Sequence, residues 1–157
     1  MNEERTQMNL ETKIDSVPFR KILVGLAVSE QTSQILKVSA YLAQKLDAKI
    51  IACSVSMTAT SVQANELDGS PADQEERKTH DNLTEMIHNE FGQDGENIQI
   101  KILHGDTAQR ISEYAEYAGC DLIIVGSRTH GLLKKALLGS VSSSVASRSK
   151  KSVLIVR

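Results

Sequence analysis

The chain has no tryptophan, two phenylalanines and three tyrosines, so aromatics make up only 3% of its 157 residues. Proteins that grip single-stranded nucleic acid stack its bases on aromatic rings, and that platform is missing here. Lys134-Lys135, Arg148 and Lys150-Lys151 supply local positive charge. With a formal net charge of −2 overall, they do not make a nucleic-acid surface, and no nucleic-acid partner is expected. Cysteine is scarce as well. Cys53 and Cys120 lie far apart, in or beside apolar strands, where a free thiol is a small core residue suited to a reducing cytoplasm. There is no Cys-x-x-Cys. None of His80, His88, His104 and His130 forms a metal-spaced pair with Cys, Asp or Glu, so no metal ligands are assigned. No apolar run approaches ~18 residues, which leaves no membrane-spanning helix and no membrane partner. Residues 1–18 are polar, lack the apolar stretch of a signal peptide and are expected to form a flexible tail ahead of one domain, 19–157.

Several catalytic and cofactor motifs are also missing. There is no Gly-x-Gly-x-x-Gly dinucleotide fingerprint and no Gly-x-Ser-x-Gly nucleophile elbow. Gly126 and Gly131 have the spacing that opens a Walker A loop, but Leu132-Leu133 stands where Lys-Ser/Thr is required. No acid–base pair is evident, so no catalytic residue is assigned.

What is present is an alternation of short apolar runs with helical periodicities. Lys21–Ala27, Lys49–Val55 and Leu122–Val125 are continuous and rich in β-branched residues, as in parallel strands buried on both faces. Ile98–Leu103 alternates Ile98, Ile100 and Ile102 with Gln99 and Lys101, as in an edge strand with one wet face. Ser152–Val156 supplies a fifth strand. Between the strands, Glu30–Leu46 presents Ile35, Val38, Leu42 and Leu46 at helical spacing after a Ser29 N-cap. A second helix, Ala72–Phe91, carries Leu83, Met86, Ile87 and Phe91. A third, capped by Asp106 or Thr107, turns Ile111, Tyr114, Ala115 and Ala118 inward. The Ser/Thr-rich stretch Met57–Ser70 is the longest expected loop. Such an order gives an α/β fold with a parallel sheet and helices on both faces.

The segment Asp121–Ser144 concentrates the chemistry. Its apolar strand ends at Gly126, a glycine-bearing loop follows, and a helix opens at Gly139-Ser140 with Leu138, Val141 and Val145 expected on one side. Free backbone N–H groups and the positive end of the helix dipole make such a helix start an anion site, with Ser140 and Ser142 as added hydroxyl donors. Charge agrees. From Leu122 to Arg157 there are seven Lys or Arg and no acid, which leaves 11 basic and 20 acidic groups in residues 1–121. The serine run Ser140–Ser149 is explained by helix capping and close packing on the sheet.

This stretch resembles the universal stress protein family, whose nucleotide-binding members carry Gly, two residues, Gly, nine residues and Gly-Ser. Gly126, Ser127 and Arg128 match the start; Gly139-Ser140 closes the motif after His130–Leu138; and Leu-Leu-Gly-Ser-Val-Ser at 137–142 is characteristic. The likeness extends over roughly residues 20–157. It implies a five-stranded parallel sheet of order 3-2-1-4-5, a Rossmann-like single domain, and dimerisation through the C-terminal strand Ser152–Val156. It also implies an adenine nucleotide, ATP with Mg or AMP, in the cleft between strands one and four. The implied site takes Ala27 from the first strand end and Val55 from the adenine wall. From the fourth strand and its loop it takes Val125, Gly126, Ser127, Arg128, Thr129 and His130, and from the helix start Gly139, Ser140, Val141 and Ser142. Two positions depart from the family: Ala27 stands where relatives have Asp facing the nucleoside, and Thr129 replaces the second glycine. Losing a hydrogen bond to a charged group costs roughly 1.5–3 kcal/mol, about ten- to hundredfold in affinity. A β-branched residue forced to positive φ costs roughly 1–2 kcal/mol. The resemblance therefore implies a degenerate nucleotide site, or a nucleotide-free dimer that acts through protein contacts.

Overall fold

The computed structural model describes residues 19–57, 71–127 and 139–157. The expected tail at 1–18, nearly all of the Met57–Ser70 loop, and Arg128, Thr129, His130, Lys134-Lys135 and Leu138 lie outside the described residues. The strands are β1 Lys21–Gly25, β2 Lys49–Ser56, β3 Gln99–His104, β4 Leu122–Gly126 and β5 Ser152–Val156. The helices are α1 Thr32–Leu46, α2 Pro71–Phe91, α3 Thr107–Tyr117 and α4 Ser140–Arg148, with a 3-10 turn at Gly92–Asn97. All strand pairs are parallel and the order is β3-β2-β1-β4-β5, as expected.

Period-two side-chain alternation explains why the central strands read as unbroken apolar runs. Ile22, Val24, Ile50, Ala52, Leu122 and Ile124 face one way, packed with Ile35 and Leu36 of α1 and Leu83 and Ile87 of α2. Leu23, Cys53, Ile123 and Val125 face the other way, against Ala108, Ile111 and Ala115 of α3 and Val145 of α4. Both cysteines are free and buried in this second layer. Burial pushes the Cys53 thiol up to about 12, with Cys120 adding to the shift, and burial raises Cys120 too.

Several local expectations are corrected. Strand β1 stops at Gly25, two residues before Ala27, because the hydroxyl of buried Thr32 donates to the Ala27 carbonyl and turns the chain into α1. The N-cap of α1 is Gln31, not Ser29, and its side chain makes no cap bond. Ser29 is held instead by Thr32, which donates its N–H to the Ser29 carbonyl (3.1 Å) and accepts the Ser29 N–H at Oγ1 (3.2 Å). The inner face of α1 is Thr32, Ile35, Leu36 and Ser39; Val38 and Leu42 pack at its margin. Asp106 does cap α3, its carboxylate accepting the Gln109 N–H at 2.9 Å, and Gly119 ends that helix segment at φ +64°.

At the amino edge of the sheet, Asp121 clamps the central strand pair. Its Oδ2 accepts the N–H groups of Arg20 (2.9 Å) and Lys21 (3.0 Å), its own N–H donates to the Lys21 carbonyl (2.8 Å), and Lys21 Nζ donates to the Ala118 carbonyl (2.9 Å).

Candidate functional site

The carboxyl edge is built differently. Strand β4 ends at Gly126, where a Cβ would lie 2.6 Å from Gln31 Oε1 and 2.8 Å from Ile35 Cδ1. Any larger residue there would have to displace the ends of the Gln31 and Ile35 side chains, because α1 packs over the strand end. Gln31, which sequence reasoning missed, also donates Nε2 to the Val156 carbonyl at 3.3 Å, tying α1 to β5 over the end of β4. Nothing local in the sequence signals that role.

Beyond Gly126, the Ser127 N–H donates to the Val156 carbonyl at 2.7 Å, and the Ser127 carbonyl accepts the Gly139 N–H at 3.2 Å. The chain therefore leaves the sheet and returns to it at one point, a neck that fixes where α4 begins. Gly139 is the N-cap, with no side-chain cap bond, and its carbonyl accepts the Ser143 N–H at 3.0 Å. The N–H groups of Ser140, Val141 and Ser142 precede the first intrahelical donor, the Ser143 N–H, and point out of the helix end. With no acidic residue in the first turn, the dipole at this end is uncompensated.

The expected site residues divide at this edge. Ser127, Gly139, Ser140 and Ser142 are brought together at the neck and helix start. Ser142 is only 1% exposed, and its hydroxyl donates back to the Gly139 carbonyl at 3.0 Å, so its proton serves the helix start. Val141, expected on the inner side of the helix, is 40% exposed; Ser142 and Val145 are the buried positions. Val125 is a core residue beneath the edge. Ala27 is exposed just past β1 and presents a methyl group with no hydrogen-bonding side chain. Val55, half-buried near the end of β2, packs against the α3 and α4 layer and reaches the rim of a 260 Å³ cavity beside α2.

A five-stranded parallel sheet of order 3-2-1-4-5 with an exposed helix N-terminus beside its switch point is an α/β fold suited to an anionic ligand. The chain belongs to the universal stress protein family, whose profile matches residues 18–157. It is similar to the universal stress protein YxiE of Bacillus subtilis (strain 168), 29% identical over 148 residues that cover 88% of this chain and 99% of that one. It is also 43% identical to the stress response protein NhaX of the same organism over 72 residues. That match covers 46% of this chain and less than half, 42%, of NhaX. A solved universal stress protein in complex with cAMP aligns at TM-score 0.60 and 24% identity, covering 88% of this chain and 97% of that one.

Proposed function

We propose that this chain is a cytoplasmic stress-response regulator, with residues 19–157 as one universal stress protein-like domain behind a tail at 1–18. Its α4 N-terminus receives the phosphate of an adenine nucleotide, ATP with Mg or AMP, with low affinity. The observation that carries this reading is the pinned neck between Ser127 and Gly139, which holds the unpaired N–H groups of Ser140–Ser142 at the carboxyl edge of β4. Arg128, Thr129 and His130 follow Ser127 in the sequence. The family's cAMP complex supports the ligand class. Among the described residues no general base stands at the helix start, and the reading proposed is binding. Thermal melting with and without millimolar ATP and Mg tests it: at 100 times Kd the protein gains about 2.7 kcal/mol. No shift at any nucleotide concentration refutes the nucleotide reading.

A second reading, a nucleotide-free dimer acting through protein contacts, is favoured by Ala27 and by the open edge of β5. Strand β5 is the sheet's terminal strand, with β4 as its one neighbour among the described residues, and Val153, Leu154 and Ile155 are only partly buried. Such an edge invites pairing with a second copy. Deleting 152–157 should yield monomer or aggregate; a truncated protein that stays a folded dimer by light scattering refutes dimerisation through this strand.

A further inference from the structure

On the sheet face opposite α4, the first half of α2 and the carboxyl ends of β2 and β3 enclose two cavities of about 390 and 260 Å³, which share Glu76 and Ile102. Their walls carry the wrong sign for a phosphate. Asp73, Glu76 and Asp81 line the larger one against Arg77 and His80, and Glu75 and Glu76 line the smaller. A run of acids near a helix start is ordinary, because it complements the dipole. The floor of the smaller cavity is not ordinary. Ser54 is 8% exposed and lines the cavity, and its hydroxyl has no hydrogen-bond partner among the described residues. A hydroxyl that opens into a cavity without a protein partner is free to accept a hydrogen bond from a ligand there. At the end of β3, His104 Nε2 lies 3.3 Å from Glu76 Oε2 while His104 Nδ1 is buried without a partner. A metal ion does not fit: among the described residues, no group of three or more His, Cys, Asp or Glu is placed to hold one.

An organic cation does fit. A primary ammonium has three N–H donors and no acceptor, which matches two carboxylates and a hydroxyl. An aliphatic stem matches the apolar surface of Ile102. We propose that this groove binds a small aliphatic amine, its ammonium held by Glu75, Glu76 and Ser54 and its methylene stem lying on Ile102. The site is on the other side of the sheet from the α4 N-terminus, and the proposal stands whether or not nucleotide binds.

Calorimetry on the full chain at low ionic strength tests it, with 1,4-diaminobutane as the probe and tetramethylammonium chloride as a control that has the charge but no N–H donor. The diamine is expected to bind and the quaternary ion to give no saturable heat. Ser54→Ala and Glu75→Gln should each weaken the diamine about tenfold, the loss expected for one charge-assisted hydrogen bond. Glu75 is exposed on α2, so its substitution leaves the fold intact and keeps the test valid if Ser54→Ala perturbs β2. Absence of diamine binding, equal binding of both cations, or a Glu75→Gln variant that binds as tightly as the unaltered chain overturns the proposal.

Discussion

The two faces of the sheet meet the same carboxyl edge with opposite chemistry. On one face, α4 starts without a carboxylate and leaves backbone donors unpaired; on the other, α2 starts with Asp73, Glu75 and Glu76 and faces a buried hydroxyl. Yet both helices pack on the sheet through the same means, a few aliphatic side chains in register with the strand alternation. Packing therefore leaves the sign of each helix start free. One scaffold presents a donor-rich end and an acceptor-rich end within a few strands of each other.

The sharpest way to break the comparison is to restore the donor-rich side to its family form. Ala27→Asp with Thr129→Gly should tighten ATP binding at least tenfold by calorimetry. The diamine response on the other face should stay unchanged. Equal or weaker ATP binding would mean that the α4 end is not the nucleotide site, and the nucleotide-free reading would stand. The two substitutions need not add, since both groups would hold one ligand.

Next in size is Gly126→Ala, which puts a methyl group into Gln31 and Ile35 and should cost about 1–3 kcal/mol by denaturant unfolding, the usual penalty of overpacking. Adding Gln31→Ala to Gly126→Ala should recover only part of that loss, because Ile35 stays in place. Full recovery would mean that the flexible Gln31 alone crowds the strand end.

A comparable effect is expected at the opposite edge. Asp121→Ala removes the acceptor of two backbone N–H groups and should destabilise by about 2 kcal/mol, with nucleotide and diamine responses both preserved. Altered ligand responses would mean that the two edges are coupled through β1 and β4.

The least change should come from thiol chemistry. Cys53 should resist a disulfide reagent in the folded protein at pH 8, because burial holds its proton. The sign of the linkage follows: with a folded pKa raised from 9.0 to about 12, its contribution to stability is complete below pH 9. That contribution is lost as pH rises toward about 12, since the unfolded chain releases the proton first. Rapid labelling without unfolding would show the second core layer to be open.

The strands were legible because a parallel sheet buried on both faces writes continuous β-branched runs, and the start of α4 because glycine and hydroxyl residues mark it; the strand order came from the family resemblance. What was not legible depends on distant partners. Ala27 and Val28 continue the apolar run of β1, so nothing local shows that Thr32 ends the strand early by drawing in the Ala27 carbonyl. Leu36 escaped the helical stripe because the i, i+3, i+4 template anchored on Ile35 passes it by, yet it is 1% exposed. Gly126 reads as a loop glycine, whereas its tightest constraint is a side chain on α1, 95 positions earlier in the chain. Ser54 looks like any strand serine until α2 and β3 close around it. Of the candidate site, the helix start could be read from sequence, while the groove on the other face needed the folded packing.

The Asp121 clamp also bears on how the chain reaches this state. Its hydrogen bonds join residues 100 and 101 positions apart, at the centre of the sheet rather than at a rim. The β1–β4 pair therefore cannot form from neighbouring segments. It must wait for a long loop to close, which slows folding relative to pairings between nearby strands. Units such as β1-α1-β2 and β4-α4-β5 can assemble from local contacts and then dock along this seam. Refolding should accordingly be limited by the meeting of the two halves, and Asp121→Ala should slow that step if the clamp forms as they meet and otherwise leave its rate unchanged while speeding unfolding.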